Sequence, residues 1–212
     1  MGRSNRRRQG AESRRIVAFD FDGTLTYRDS FLSFLAWRSG RAGYLAGLAR
    51  LAPAAAAYVF DRDRGRLKAA AVRVFLRGLP RKDLLEACAA FAASPAGSSL
   101  IRPDAEHCWR QWKSQGARLA IVSASPEEVV APFAKLLDAD VLIATRLALG
   151  PDARVAGGFE GENCRGPEKA RRIRSSFGTD VRLAAAYGDT SGDREMLAMA
   201  DVKGYRVFKD RP

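Results

Sequence analysis

Four aspartates stand where apolar runs stop. Arg15–Asp20 (RIVAFD) opens into Asp20-Phe21-Asp22-Gly23-Thr24, and Arg182–Tyr187 runs into Gly188-Asp189-Thr190-Ser191-Gly192-Asp193. A third run, Arg118–Ser123 (RLAIVS), ends in Ser123-Ala124-Ser125. Each reads as a buried strand entering a loop, and open parallel sheets bind ligands at the carboxyl ends of their strands. Such a sheet gathers Asp20, Asp22, Asp189 and Asp193 at one edge. Carboxylates so placed repel one another unless a cation joins them, and oxygen donors select a hard divalent ion, Mg²⁺ by preference. Asp and Ser at strand ends also serve as caps and turn formers; the convergence of three such ends is what points to a site. A calcium loop does not fit. Asp20-Phe21-Asp22-Gly23 puts glycine fourth where an EF-hand needs it sixth, and Asp61-Arg62-Asp63-Arg64-Gly65 fails in the same way.

The elements that must position these residues follow from periodicity. Residues 31–93 lack a clear strand and predict helices near 31–39, 42–60, 64–77 and 81–93, punctuated by Gly40, Gly43, Gly78-Leu79-Pro80 and Ser94-Pro95. Next come a helix at 104–115, the strand 118–123, and a helix from Pro126 to about Leu137 with Ser125 placed as its N-cap. A strand pair is expected at 141–149 and 154–160, a helix at 166–177, a strand at 182–187, a helix at 194–200 and a last strand near 205–208. Strand–helix alternation on both sides of a helical block indicates an α/β fold, a three-layer Rossmann-like parallel sheet, with the block inserted above it. The expected division is a basic disordered tail at 1–14, an α/β core at 15–30 and 95–212, and a helical cap at 31–94. There are no internal repeats.

At 212 residues, 47% hydrophobic and 28% charged, the chain can hold one substantial core or a core with a small insert. The net charge of +12 is concentrated partly in Arg3, Arg6, Arg7, Arg8, Arg14 and Arg15, against Glu12. Such a balance suits an anionic substrate, anionic lipid or nucleic acid, although charge runs are commonly only solvated. Cys88, Cys108 and Cys164 match no zinc spacing and predict buried thiols in a reducing compartment. No apolar segment of the secretory kind follows the tail. Tyr44–Phe60 is strongly apolar but is interrupted by Arg50 and Pro53 and is short for a bilayer span. Packed helices, or contact with a membrane surface, are the readings it allows, and a cytoplasmic protein is expected.

With DFDGTLT at 20–26, the strand ending in Ser123, Lys169 on a helix and GDTSGD at 188–193, the chain resembles the haloacid dehalogenase superfamily in all four motifs, in order. The insert after the first motif resembles the subgroup that includes phosphoserine phosphatase. The resemblance implies an Mg²⁺-dependent phosphatase. Asp20 would be the nucleophile, and Asp22 the acid and then the base. Ser123 and nearby amides would hold the phosphoryl oxygens, and Lys169 would offset charge. Asp20, Asp189 and the backbone carbonyl of Asp22 would bind the metal, with Asp193 supporting Lys169 or a metal-bound water. A halide needs no proton on leaving, so Asp22 favours phosphate esters over halides.

The resemblance also directs the search for substrate contacts. Asp29 stands nine residues after Asp20, where phosphoserine phosphatases carry a glutamate. Thr24 and Ala124 flank the expected phosphoryl site, and Arg66, Lys68 and Arg73 are candidate anion contacts from the cap. Ser123-Ala124-Ser125 departs from the Ser-Gly-Gly of phosphoserine phosphatases, and Gly192 replaces an asparagine, which argues against phosphoserine itself. Cys164, close to Lys169, reads as packing, and the lone His107 lies on a helix expected to pack on the core. The expected substrate is a small phosphorylated metabolite or lipid headgroup. A phosphatidylglycerophosphatase-like enzyme in peripheral contact with an anionic membrane is the alternative. A non-catalytic nucleic-acid-binding protein and a phosphotransferase are the remaining rivals; the first would leave the aspartates without a use. The sequence gives no oligomeric state.

Overall fold

A computed structural model describes residues 15–212; the basic tail at 1–14 lies outside the described residues. The elements are β1 (Ile16–Phe19), α1 (Ser30–Asp61), α2 (Arg64–Phe75), α3 (Arg81–Ala93), a single turn α4 (Pro95–Ser98), α5 (Pro103–Ser114), β2 (Arg118–Pro126), α6 (Glu127–Leu136), β3 (Val141–Leu149), β4 (Val155–Glu160), α7 (Pro167–Phe177), β5 (Leu183–Gly188), α8 (Arg194–Ala198) and β6 (Ala200–Tyr205). A 3₁₀ turn, Ser191–Asp193, joins β5 to α8.

The six strands form one sheet in the order β4-β3-β2-β1-β5-β6, parallel except for the antiparallel β3–β4 pair. β1 is central, with Phe19 opposite Ile121 on one side and Tyr187 on the other. The chain leaves β1 toward β2 and β3 and returns to β5 on the opposite flank, so the order reverses at β1. That switch point is where an α/β sheet opens a crevice. Asp20 follows β1 directly, and its N–H donates to Tyr187 O at 2.9 Å.

Successive strand residues point to opposite faces, and the core divides accordingly. Val17, Phe19, Leu119 and Ile121 pack with Trp109 of α5 and with Val129, Val130 and Phe133 of α6. Ala18, Ala120, Val122 and Ala186 pack with Ile173 of α7 and with Met196 and Leu197 of α8. This is the three-layer α/β arrangement. The helical segment α1–α3 joins the first face: Phe91 of α3 lies 6.0 Å from Phe133, edge to face, and Phe133 lies 5.4 Å from Phe21.

The helices expected at 31–39 and 42–60 are the two limbs of α1, parted at Gly40, whose φ of 64° and ψ of 173° are not helical. Two local expectations need correction. The last strand is at 200–205, not 205–208, and α8 stops at Ala198 to make way for it; this edge strand (ADVKGY) has little apolar signal of its own. Ser125 does not cap α6. Strand β2 continues to Pro126, which occupies the cap position without a side-chain bond, and the Ser125 hydroxyl is used elsewhere.

Candidate active site

Asp20 is 6% exposed. Its Oδ1 accepts from Lys169 Nζ at 2.5 Å, and its Oδ2 faces the Thr24 hydroxyl at 3.4 Å. Lys169 enters on the first turn of α7, after Pro167 has started the helix at its N-terminus. Its ammonium spends all three donors, on Asp20, on Asp193 Oδ1 at 2.7 Å and on the Val122 carbonyl at 2.7 Å. Burial alone would push the lysine pKa down; Asp20 and Asp193 outweigh it and hold the ammonium above its ordinary value. Burial pushes Asp20 up to about 7, against the lowering by Lys169 and with added repulsion from Asp193 and Asp22.

Asp193 is a structural acceptor. While Oδ1 holds Lys169, Oδ2 takes the N–H of Asp189 at 3.2 Å, the N–H of Thr190 at 2.9 Å and the Thr190 hydroxyl at 3.0 Å. Burial raises its pKa, but Lys169 and these donors lower it further, leaving it below the usual carboxylate range. Asp20, Asp189 and Asp193 each place a carboxylate oxygen within 4.8 Å of the others. Of the three, Asp189 is the unspent one: its Oδ1 is buried without a hydrogen-bond partner, and burial, then Asp193, raise its pKa. A buried acceptor of this kind is costly unless something fills its place. Oxygen donors from Asp20 and Asp189 suit a hard divalent cation. Asp193, expected among the metal ligands, has both oxygens committed to Lys169 and the loop.

Asp22 is set apart. Its Oδ1 accepts from Ser30 N–H at 2.7 Å at the start of α1, and its Oδ2 accepts from the Ser125 hydroxyl. Burial, then Asp29, raises its pKa. Lys68 of α2 donates to Ser125 Oγ at 3.0 Å and lies 3.9 Å from Asp22 Oδ2 and 3.6 Å from Asp29 Oδ2. Asp29 also caps α1 through Leu32 N–H at 2.9 Å. The general-acid candidate is thus held by the loop after β1, by the end of β2 and by the inserted helices together.

These groups line a cavity of about 610 Å³, which takes in Asp20, Asp22, Asp29, Lys68, Ala124, Lys169, Asp189 and Asp193. Ser123 is fully buried behind it, accepting the Ser125 N–H at 3.0 Å, and Thr24 is buried beside Asp20. Arg66 and Arg73 are not brought to the cavity. Arg66 pairs with Asp61 at 2.9 Å on the surface, and Arg73 packs beside Gly157 of β4. His107 is on the exposed side of α5, next to Gln111 at 3.0 Å, not on its packing face. Cys164 is buried, which pushes its thiol up to about 11, and it serves as packing. Five polar participants stand outside the sequence-based set, Arg28 and Arg64 of the cavity wall among them. Ser125 repeats the side of Ser123 two residues on, a signal that extended geometry offers. Asn163 and Arg165 line the cavity; Arg165 reaches the hydroxyls of Thr190 at 3.4 Å and Ser191 at 3.2 Å.

Residues 17–198 match the family model of the haloacid dehalogenase-like hydrolases. The chain is 57% identical over 197 residues to protein CicA of Caulobacter vibrioides, covering 93% of this chain and 88% of that one. It is 32% identical to the inhibition of morphological differentiation protein of Streptomyces azureus, covering 87% and 68%. Among solved structures, a protein of unknown function from Bordetella pertussis Tohama I shares the fold with a TM-score of 0.72 at 24% identity, covering 87% and 86%. A substrate-bound phosphoserine phosphatase does so with a TM-score of 0.64 at 19% identity, covering 92% and 86%.

Proposed function

The chain belongs to the haloacid dehalogenase-like hydrolase family, and we propose that it is an Mg²⁺-dependent phosphomonoester hydrolase working through an aspartyl-phosphate on Asp20. The observation that carries this reading is the pairing of a buried, lysine-held Asp20 with an Asp189 oxygen that lacks any partner. Asp20, Asp189 and the backbone carbonyl of Asp22 would hold the ion, which when bound supplies positive charge to the phosphoryl oxygens.

The residues of the chain do the rest. A carboxylate oxygen of Asp20 attacks phosphorus, the P–O ester bond breaks, and Asp22 gives its proton to the departing alkoxide. The raised pKa of Asp22 keeps that proton available. Water then attacks the aspartyl-phosphate, Asp22 takes the proton back, and inorganic phosphate leaves with Asp20 restored. Lys169 stays charged throughout and offsets the charge on Asp20 and the transferring group. Catalysis is chiefly positioning and preorganised charge. Asp29, just before α1, and Lys68 of the inserted segment reach the cavity beside Asp22 and are polar substrate contacts there.

A second reading, a lipid phosphatase at a membrane surface, draws support from Leu45 (65% exposed), Val59 (62%) and Phe60 (88%) on α1. No helix among the described residues is long and apolar enough to cross a membrane, so such contact would be peripheral, with an anionic surface. Phosphate release from a panel of phosphomonoesters, with and without Mg²⁺, tests the main reading. Release that requires Mg²⁺ and vanishes in Asp20→Asn supports it; release indifferent to Asp20 sinks it.

A further inference from the structure

One wall of the catalytic cavity is not built for a hydrophilic substrate. On α1, Tyr44, Leu48, Leu51, Ala55 and Tyr58 all line it. Their spacings of four, three, four and three residues make a single stripe down one side of the helix, and at 1.5 Å per residue the stripe is roughly 21 Å long. Leu67 and Ala71 of α2 continue the surface. The two helices approach closely because Gly47 has no side chain; a Cβ there would stand 2.1 Å from the Phe75 ring. The carboxylates of Asp20, Asp22, Asp189 and Asp193 and the ammonium of Lys169 come from the strand ends and α7, while Lys68 and Arg64 of α2 bring positive charge beside the stripe, Arg64 donating to the Tyr58 hydroxyl at 3.4 Å.

Wetting such a wall is unfavourable, and a small polar ester would leave it wet. Leu48 keeps 41% of its surface exposed while facing the cavity. We propose that the physiological substrate is an amphipathic phosphomonoester whose phosphate lies at Asp20 and whose apolar chain lies along the α1–α2 wall. This rests on the hydrolase reading for the reaction, but the apolar contact itself can be measured apart from turnover.

The test uses straight-chain alkyl phosphates and the matching non-hydrolysable alkylphosphonates, from ethyl to octyl, below micelle-forming concentrations and with Mg²⁺. A fully buried methylene changes an equilibrium about fourfold, so a wall covering one side of the chain gives about twofold per methylene, or about 60-fold from ethyl to octyl. Phosphonate affinity by calorimetry and kcat/KM for the phosphates should both rise by that order. Leu48→Asp should cut the octyl-to-ethyl ratio at least about tenfold. Leu45→Asp, on an exposed position off the cavity, should leave it unchanged. Phosphonate affinity independent of chain length overturns the proposal, as does a ratio lowered equally by Leu45→Asp, which would place the contact outside the cavity. Affinity that rises with length without phosphate release keeps the ligand class and overturns the hydrolase reading instead.

Discussion

A Cβ on Gly23 would stand 2.4 Å from Asp189 Oδ2. The glycine after Asp22 is therefore fixed twice, by its φ of 86° and by the carboxylate that crosses from the end of β5. Gly23→Ala should cost about 1–3 kcal/mol of stability through backbone strain and should also push Asp189 away from Asp20. Calorimetric titration with Mg²⁺ separates the two effects. Weakened binding of the ion by a folded variant is expected, with activity down on the order of 10²-fold. Unaltered Mg²⁺ affinity in a folded Gly23→Ala protein would show that Asp189 does not hold the ion.

The proposed binding of an ion at Asp20 should depend on pH. Burial lifts its pKa to about 7 in the metal-free protein, so the proton competes with a cation below that pH and not above it. Mg²⁺ binding should release protons near neutrality. Its apparent affinity should fall toward tenfold per pH unit below about 7 and level off above it. Titrations in buffers of different ionisation enthalpy count the protons. Affinity flat from pH 5 to 8 would contradict the burial of this carboxylate in the free protein.

The proposed reacting groups are legible in the sequence because each combines a chemically costly residue type with a strand end or helix start that the apolar pattern already marks. Asp20, Lys169 and Asp189 are of this kind. The inserted helices are less legible. At 100° per residue, Arg66 lies about 200° and Arg73 about 140° around α2 from Lys68, so three cations grouped by composition could not share one target. Only Lys68 reaches the cavity. Ser125 reads as a helix cap in the sequence, and only the extra length of β2 turns its hydroxyl to Asp22 instead. The segment from Tyr44 to Phe60 is apolar all round in sequence, so which stripe of it faces the cavity is set by the packing of α1 against α2.

Glu168 precedes Lys169 and anchors it indirectly. Its carboxylate accepts from Arg171 at 2.6 and 2.7 Å and from Arg172 at 2.6 Å, and Arg172 in turn bonds the carbonyls of Ala144 and Glu162. The Arg171 bonds, with Arg172 and against burial, lower the Glu168 pKa from 4.5 to about 2. A folded-state pKa below the unfolded one contributes stability that is present above pH 4.5 and disappears as pH falls toward 2. Glu168→Gln should therefore unfold more easily by about 1–2 kcal/mol at pH 7, with the gap to wild type closing as the pH falls through that window. Urea unfolding at pH 7 and pH 3 measures it. A gap of constant size would mean that the residue acts through packing and not through charge.

Gly192 is the position where the absence of a side chain admits another residue. A Cβ there would come within 2.5 Å of the Arg165 guanidinium, which lies over this turn and faces the cavity. Arg165 has no carboxylate within ion-pair distance among the described residues; hydroxyls hold it instead, so its charge is available to an anionic substrate. Gly192→Asn should displace the guanidinium and raise KM about tenfold or more, the scale of one charge-assisted hydrogen bond. The effect on kcat should be smaller, since Asp20, Lys169 and Asp193 remain in place. Arg165→Ala should reproduce that pattern, and Gly192→Asn combined with Arg165→Ala should be no worse than either alone, because both changes remove the same contact. Additive losses would show that Gly192 acts through the turn itself and not through Arg165.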